Sequence, residues 1–546
     1  MHRILNIAGN DNNTDNLIQQ PKGDCIFITS VKADIKILSD LIQEEKYDYL
    51  ANNIRAIHIS FLSTTSQIDY YFEKTLKYSK IIILRLFGDK GTWSYGIEKL
   101  NNFHIKSGKT IIILSGTEDE DYSLNELSTI NLKESIRISR LLRSGGKDNY
   151  RKFLMYVDLL LGTKKIPENL LDNISYPDPY LYDWRDEKGP KIAIISYKSL
   201  FLANELDISD EINKILRKNQ MSPKTLFVSS LKSIKVQNDI KEIFTDNKIS
   251  MILTTTSFNS TIQKDKDDNL CKSNLFSSLN IPVLQLLTLT SSKKEWQESL
   301  VGMNSIDLLM QIVIPEFDGR IITRPCSFKE ISSVNKVLAS EITSYKANKE
   351  GLEWIARLVS NYIKLSKTKN NDKKICLIIS NYPVKNGRIG NGVGLNTPLS
   401  VLKILNWLRD EGYDTGDKDI PSSSHELMTI LIKSRTNSLD SKYNQPLDFL
   451  GIKEYLEYWD TIPRNSKEII QQRWGSPEKS EDLDIESQGY SINGIRFGNI
   501  CLLIQPQRGY DPDSIKDIHS PDLPPPHRYL AQYYWIEKKF KANAIC

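Results

Sequence analysis

The stretch "KICLIISNYPVKNGRIGNGVGLNTPLSVLKILNWLRDEGYD" (374–414) passes through three kinds of local structure. Its first residues, Ile375 to Ile379, form a near-continuous apolar run that reads as a strand buried on both faces. A glycine-rich segment follows with Gly387, Gly390, Gly392 and Gly394. A helix then opens with Asn396 or Thr397 as cap and Pro398 in the first turn. Glycines let a backbone approach a ligand closely, and a helix N-terminus offers N–H groups to an anion such as a carboxylate. Arg388, inside the loop, is suited to bidentate pairing with a carboxylate. A dinucleotide fingerprint would need glycine at position 395, where Leu395 stands,. The loop therefore reads either as a polar-ligand loop or as a tight structural turn.

The same strand type recurs along the chain. "CIFITS" (25–30), "IIILRLFG" (81–88), "TIIILSG" (110–116), "KIAIISY" (191–197), "TLFVSS" (225–230), "SMILTTTS" (250–257) and "PVLQLLTLT" (282–290) are short apolar runs. Each ends in small polar residues. Amphipathic stretches such as "DYYFEKTLKYSK" (69–80) and "ISDEINKILRKNQ" (208–220) lie between them. Strands of this kind alternating with helices predict a multidomain α/β protein with several doubly wound, mostly parallel sheets flanked by helices. Ligands in such folds sit beyond the carboxyl ends of the strands.

The 546 residues exceed what one core supports,. Two polar, proline- or lysine-rich stretches, 163–191 and 364–374, divide the chain into expected domains at roughly 1–165, 190–365 and 372–546,. Apolar content of 40% and charged content of 26% are those of globular protein,. A formal net charge of +4 gives no electrostatic case for nucleic acid or membrane surfaces,. The apolar runs are far too short for a membrane span, and the N-terminus lacks an export-type apolar region. Six scattered cysteines without a C-x-x-C pair suggest neither disulfide framework nor zinc knuckle, so a cytoplasmic location is expected,.

"SGKT" (107–110) imitates a phosphate-binding loop. The required earlier glycine is Phe103, and a helix precedes rather than follows it, so it reads as a turn into a strand,. "FGNICLLIQPQRGYDPDSIKDIHSPDLPPPHRYLAQYYW" (497–535) is richer. A strand leads to Gln505 and Arg508, then to a proline-stiffened loop with Asp511, Asp513, Asp517, His519, Asp522 and His527. Imidazole and carboxylate suit divalent first-row metals, and neutral imidazole accepts a proton. Eight residues of extended chain span roughly 25 Å, so His519 and His527 share one ion only if the loop doubles back. A structural role for each histidine stays open. Beyond it, Leu530, Tyr533, Tyr534, Ile536 and Phe540 predict a helix over 529–540, and Ala544 to Cys546 read as the start of a buried strand,.

"IQPQRGYDPDSIKDIHSPDLPPPHRYLAQYYWIEKKFKANAI" (504–545) closely resembles the large-subunit family of aerobic, ATP-dependent cobaltochelatases (CobN type), which is related to the magnesium chelatase large subunit. "RLFGDKGTWSYGIEKL" (85–100), "PEFDGRIITRPCSFK" (315–329), "NYPVKNGRIGNGVGLNTPLSVLKIL" (381–405) and "RWGSPE" (473–478) look like segments of the same family, in its order. The resemblance implies the N-terminal part of such a subunit, ending before the family's His- and Gly-rich motif.

The activity implied is insertion of cobalt(II), as substrate ion, into hydrogenobyrinic acid a,c-diamide in cobalamin biosynthesis. ATP would be hydrolysed by separate AAA+ subunits, and a C-terminal polypeptide would carry the missing half. A magnesium chelatase subunit acting on protoporphyrin IX, or a non-catalytic tetrapyrrole-binding remnant, are the alternatives. The resemblance assigns His519, His527 and Asp522 to catalysis, with both histidines also as metal ligands. It assigns Arg388, Asn391, Gly392, Gly394, Arg508, Glu316 and Arg320 to substrate binding. For Glu316, Asp318 and Arg320 a salt-bridged junction explains the residues equally well.

Overall fold

The computed structural model describes residues 17–50, 52–116, 122–261, 274–381, 386–417, 419–509 and 522–546. It divides into two compact units, Met1–Ser360 and Asn361–Cys546. It is a mixed α/β fold with several mostly parallel sheets flanked by helices.

In the first unit, β1 (Cys25–Thr29), β2 (Ile54–His58), β3 (Ile81–Leu86) and β4 (Thr110–Ser115) form a wholly parallel sheet in the order β2-β1-β3-β4. Every residue of β1 and β3 is buried. Successive side chains leave a strand on opposite faces. Accordingly Phe27 and Ile83 join one core with Ile138, Phe153 and Val157, while Ile28 and Leu84 join another with Ile68, Tyr71 and Leu100. Two covered faces explain why these strands are mostly apolar, and the buried Arg85 of β3 is paired with Asp34 (2.6 Å),. The helix Ser94–Ser107 ends at Gly108, whose φ of 67° and N–H bond to the His104 carbonyl (2.8 Å) form a left-handed cap before β4,. "SGKT" is therefore a helix-to-strand turn, as its order of elements predicts.

The second sheet contains β5 (Tyr180–Tyr182), β6 (Lys191–Tyr197), β7 (Ser222–Val228), β8 (Met251–Thr254), β9 (Val283–Leu289), β10 (Ile321–Asn335) and β11 (Ser340–Ala347). Their order is β11-β10-β9-β8-β6-β7-β5, with β5 and β11 antiparallel to their neighbours. The long β10–β11 hairpin has no counterpart in the sequence reading. Its Leu338 and Ile342 enter the core of the first sheet, and Ala56 N–H donates to the Leu338 carbonyl (3.0 Å). The two sheets of this unit thus share apolar burial.

The second unit is built on β12 (Ile375–Ile379). Further along are β13 (Asp448–Gly451), β14 (Leu483–Asp484), β15 (Gly489–Ile492), β16 (Gly494–Phe497), β17 (Ile500–Ile504) and β18 (Ala544–Ile545). The main sheet runs β16-β17-β12-β18, and β13-β15-β14 form a small antiparallel sheet. β12 and β17 are parallel from Ile375↔Ile500 to Ile379↔Ile504. Ile375, Leu377 and Ile379 face Val401, Leu402 and Leu405 of the helix Thr397–Asp410. Cys376 and Cys501 face Tyr455, Trp459, Trp535 and Ile536.

The terminal helix starts at His527 and continues as a π-helical turn over Trp535–Phe540. β18 pairs in parallel with β12, and Ile545 is half exposed. Among the described residues no helix is long and apolar enough to cross a membrane.

Candidate functional site

Beyond the carboxyl ends of β12 and β17, three loops of the second unit meet. Gly390 N–H donates to the Ser380 carbonyl (2.6 Å), and Ser380 Oγ donates to the Asn391 carbonyl (3.1 Å), folding the glycine-rich loop back over the strand end. Asn381 pairs with Ile389 in an isolated antiparallel bridge. Gly390 (φ 71°) and Gly394 (φ 76°) adopt the left-handed conformation that favours glycine,. Gly392 does not, and a Cβ there would meet only ordinary contacts.

The segment 436–441 forms the second wall. Thr436 Oγ1 donates to Asn386 Oδ1 (2.7 Å), and Asn437 Nδ2 donates to the Gln505 carbonyl (2.8 Å). Arg528 Nη2 donates to Asn437 Oδ1, and Gln505 Nε2 to the Tyr529 hydroxyl (3.3 Å). Sequence reasoning does not single out Asn381, Thr436, Asn437 or Arg528. Asn381, just past the strand 375–379, and Arg528, beside His527, have signals nearby that could have found them.

Arg388 is exposed on this rim, and its side chain makes no ion pair or hydrogen bond with the described residues. Asn391 is exposed next to it. The helix Thr397–Asp410 opens here as expected, with Asn396 Oδ1 accepting from Leu399 N–H (3.2 Å). Its first turn is a poor anion site. Pro398 has no N–H, Leu399 is taken by the cap, and Ser400 N–H donates to the Asn396 carbonyl (2.9 Å),.

His527 lies elsewhere, and its geometry corrects the expectation of a metal ligand and catalytic base. It is 0% exposed, enclosed by Tyr455, Trp459 and Tyr490. Nε2 sits 2.9 Å from the Gly475 carbonyl, which can only accept, so Nε2 carries the proton,. Nδ1 then accepts from the Tyr455 hydroxyl at 2.9 Å. Both nitrogens are used within the fold, and burial holds the imidazole below its ordinary value, in the neutral form,. No lone pair remains for an ion.

Arg320 is likewise consumed. Its Nη2 pairs with Asp318 (2.7 Å), both side chains being fully buried, and also donates to the Phe258 carbonyl (2.7 Å). Nη1 donates to Gln285 Oε1 (2.9 Å) and to the Thr256 carbonyl. Asp318 in turn accepts from Ser260 N–H (2.8 Å) and Asn274 Nδ2 (3.1 Å). This knot pins the loop after β8 and presents no free donor to a substrate, so Arg320 is structural. Glu316 is exposed at the end of a short helix in the same unit.

Arg508, exposed after β17, donates to the Leu523 carbonyl (3.2 Å) and tethers the two ends of the proline-rich loop. Asp522 is an exposed turn residue, and His519 lies outside the described residues. Among the described residues no three His, Cys, Asp or Glu side chains gather as a metal site.

A family model described as CobN/Magnesium Chelatase matches residues 139–546. The chain belongs to this family. The aerobic cobaltochelatase subunit CobN of Pseudomonas aeruginosa is 27% identical over 98% of the chain, which spans 43% of that relative's length. A magnesium-chelatase subunit of Chlorobaculum parvum is 24% identical over 66% of the chain and 27% of its own length. The solved catalytic subunit of cobaltochelatase from Mycobacterium tuberculosis superposes with a TM-score of 0.70 at 25% identity, over 96% of this chain and 42% of that one. This CobN-type chain therefore spans less than half the length of the cobaltochelatase subunits it matches.

Proposed function

We propose that the chain supplies the tetrapyrrole-gripping part of a cytoplasmic cobaltochelatase, which inserts cobalt(II) into hydrogenobyrinic acid a,c-diamide. The observation that carries the choice of metal and ring is the extent of similarity. Agreement with CobN runs over 98% of the chain, against 66% for the magnesium-chelatase relative.

The reaction makes three demands: two pyrrolic protons leave, the ion sheds water, and the ring is held meanwhile. The second unit, which contains the expected domain 372–546, answers the third. Arg388 would take a peripheral carboxylate in bidentate fashion, and the loop from Asn386 to Gly394, with Asn391 on its rim, lets backbone approach the ring. Arg508 anchors the neighbouring proline-rich loop. That loop would bring His519 as proton acceptor and ligand, with Asp522 as a carboxylate replacing water on the cobalt. In this reading AAA+ partner subunits hydrolyse ATP, and a further polypeptide supplies the remaining length seen in the relatives.

The purified chain, titrated with a metal-free corrinoid, should change the visible absorption of the ring in a saturable way. Combined with the AAA+ subunits, a polypeptide covering the rest of the family length, ATP and cobalt(II), it should convert the corrinoid to its cobalt form. Absence of ring binding together with absence of cobalt uptake in every such mixture defeats the proposal.

A further inference from the structure

The side chain of Asn381 is 5% exposed, and neither its Nδ2 nor its Oδ1 has a hydrogen-bond partner among the described residues. Buried polar groups are almost always paired, because an unpaired one bears its full desolvation cost. Here a donor and an acceptor on one amide are both left open, at the end of a strand where α/β folds place ligands.

Its direction follows from the strand. Ile375, Leu377 and Ile379 face the helix Thr397–Asp410, and Asn381 continues that alternate series,. Ile389, its partner in the bridge, belongs to the same core. The amide therefore lies under the glycine-rich loop, on the side where this helix begins. The polar side chains of the facing wall are engaged with one another, as in Thr436 with Asn386 and Asn437 with the Gln505 carbonyl. They leave Asn381 unserved.

The chemistry of the pair of open atoms selects the ligand. A carboxylate would satisfy Nδ2 and set a second acceptor against Oδ1. A primary carboxamide offers both a carbonyl and an N–H, and two amides face to face close a ring of two hydrogen bonds. The surroundings favour a neutral group as well, since the first helical turn has few N–H groups to spare. We infer that Asn381 reads a primary carboxamide arm of the bound ring, while Arg388 at the rim takes a carboxylate arm. The inference rests on the tetrapyrrole reading and adds to it a specificity-determining residue.

The test uses the full chain, Asn381→Leu, and two metal-free corrinoids differing only in whether the peripheral arms are carboxamides or free acids. Wild-type protein should prefer the carboxamide form. Asn381→Leu should weaken that form roughly tenfold, the loss of two neutral hydrogen bonds, and leave the acid form within about twofold. Without ligand, the same variant should raise the thermal midpoint by about 2–4 °C, because an unpaired amide gives way to apolar packing.

A lowered midpoint would reveal an amide that serves the fold and would overturn the inference. So would equal weakening of both corrinoids, or of neither. Wild-type protein that binds neither ring overturns the tetrapyrrole reading and the assigned ligand with it. Binding of both rings with no effect of Asn381→Leu removes the carboxamide assignment alone.

Discussion

The Arg320 knot of the first unit and the Asn381 crevice of the second both bury polar side chains at strand ends, Arg320 just before β10 and Asn381 just after β12, and they differ in what is left over. At Arg320 the carboxylate of Asp318 and the carbonyls of Thr256 and Phe258 take up the guanidinium. Among the described residues nothing does so at Asn381, and on the rim Arg388 has no partner either. A closed network stabilises a loop, whereas an open one holds capacity for something outside the chain. Residue type alone does not separate the two cases, because the arginine that looked most like a binding group in "PEFDGR" is the one already spent.

Arg320→Ala challenges the contrast most severely. Removing one member of a buried pair leaves Asp318 charged and uncompensated, which costs about 3–5 kcal/mol. Denaturant unfolding of the first unit should show that loss, and a change below about 1 kcal/mol would mean that the knot is open after all. His527→Phe comes next. It keeps the ring packing but strands the Tyr455 hydroxyl and the Gly475 carbonyl, for a loss of about 2–3 kcal/mol in the second unit,. A His527 that served mainly as a metal ligand would tolerate phenylalanine at little cost to folding.

Arg388→Ala should behave in the opposite manner. Unfolding should move by less than about 0.5 kcal/mol, since the side chain is exposed and bonded to none of the described residues, whereas corrinoid affinity should fall roughly tenfold with the loss of a charged hydrogen bond. Unchanged affinity, read by absorption titration, would remove Arg388 from the site.

The smallest effects are those of pH, and they run in opposite directions in the two units. Burial depresses the His527 value, so the unfolded chain binds more protons in acid. Its stabilising contribution is present above about 6.5 and is lost as pH falls through the folded value,. In the first unit, burial pushes the Glu205 carboxyl from 4.5 up to about 7, though Lys36 opposes the shift. Its contribution is present below 4.5 and is lost as pH rises through about 7,. Stability measured from pH 5 to 8 should lose these slopes in His527→Phe and in Glu205→Gln respectively.

Much of the fold was legible because its strands are buried on both faces. "CIFITS", "IIILRLFG" and "KICLIIS" became β1, β3 and β12 since both of their faces are covered and nearly all of their residues are apolar. β2 and the β10–β11 hairpin were missed. "IRAIH" is short and carries Arg55 at its second position, so its sequence hides the burial of residues 54–57, and the hairpin is exposed over much of its length.

The site was only half legible. Gly390 and Gly394 announce their conformation, and Arg388 sits visibly among them. The state of His527 depends on Tyr455, 72 residues away, and that of Arg320 on Thr256 and Gln285, 64 and 35 residues away. Asparagine at a strand end is common in turns, and only the three-dimensional arrangement shows the Asn381 amide unpaired.

Amide hydrogen exchange of the full chain, with and without a metal-free corrinoid, compares the open and closed clusters in one experiment. Bound ring should slow exchange at least about fivefold within 386–396 and 436–441, and leave 256–260 and 318–320 unchanged. Protection at 318–320, or none at 386–396 under saturating ring, would contradict the assignment of the open crevice as the binding site.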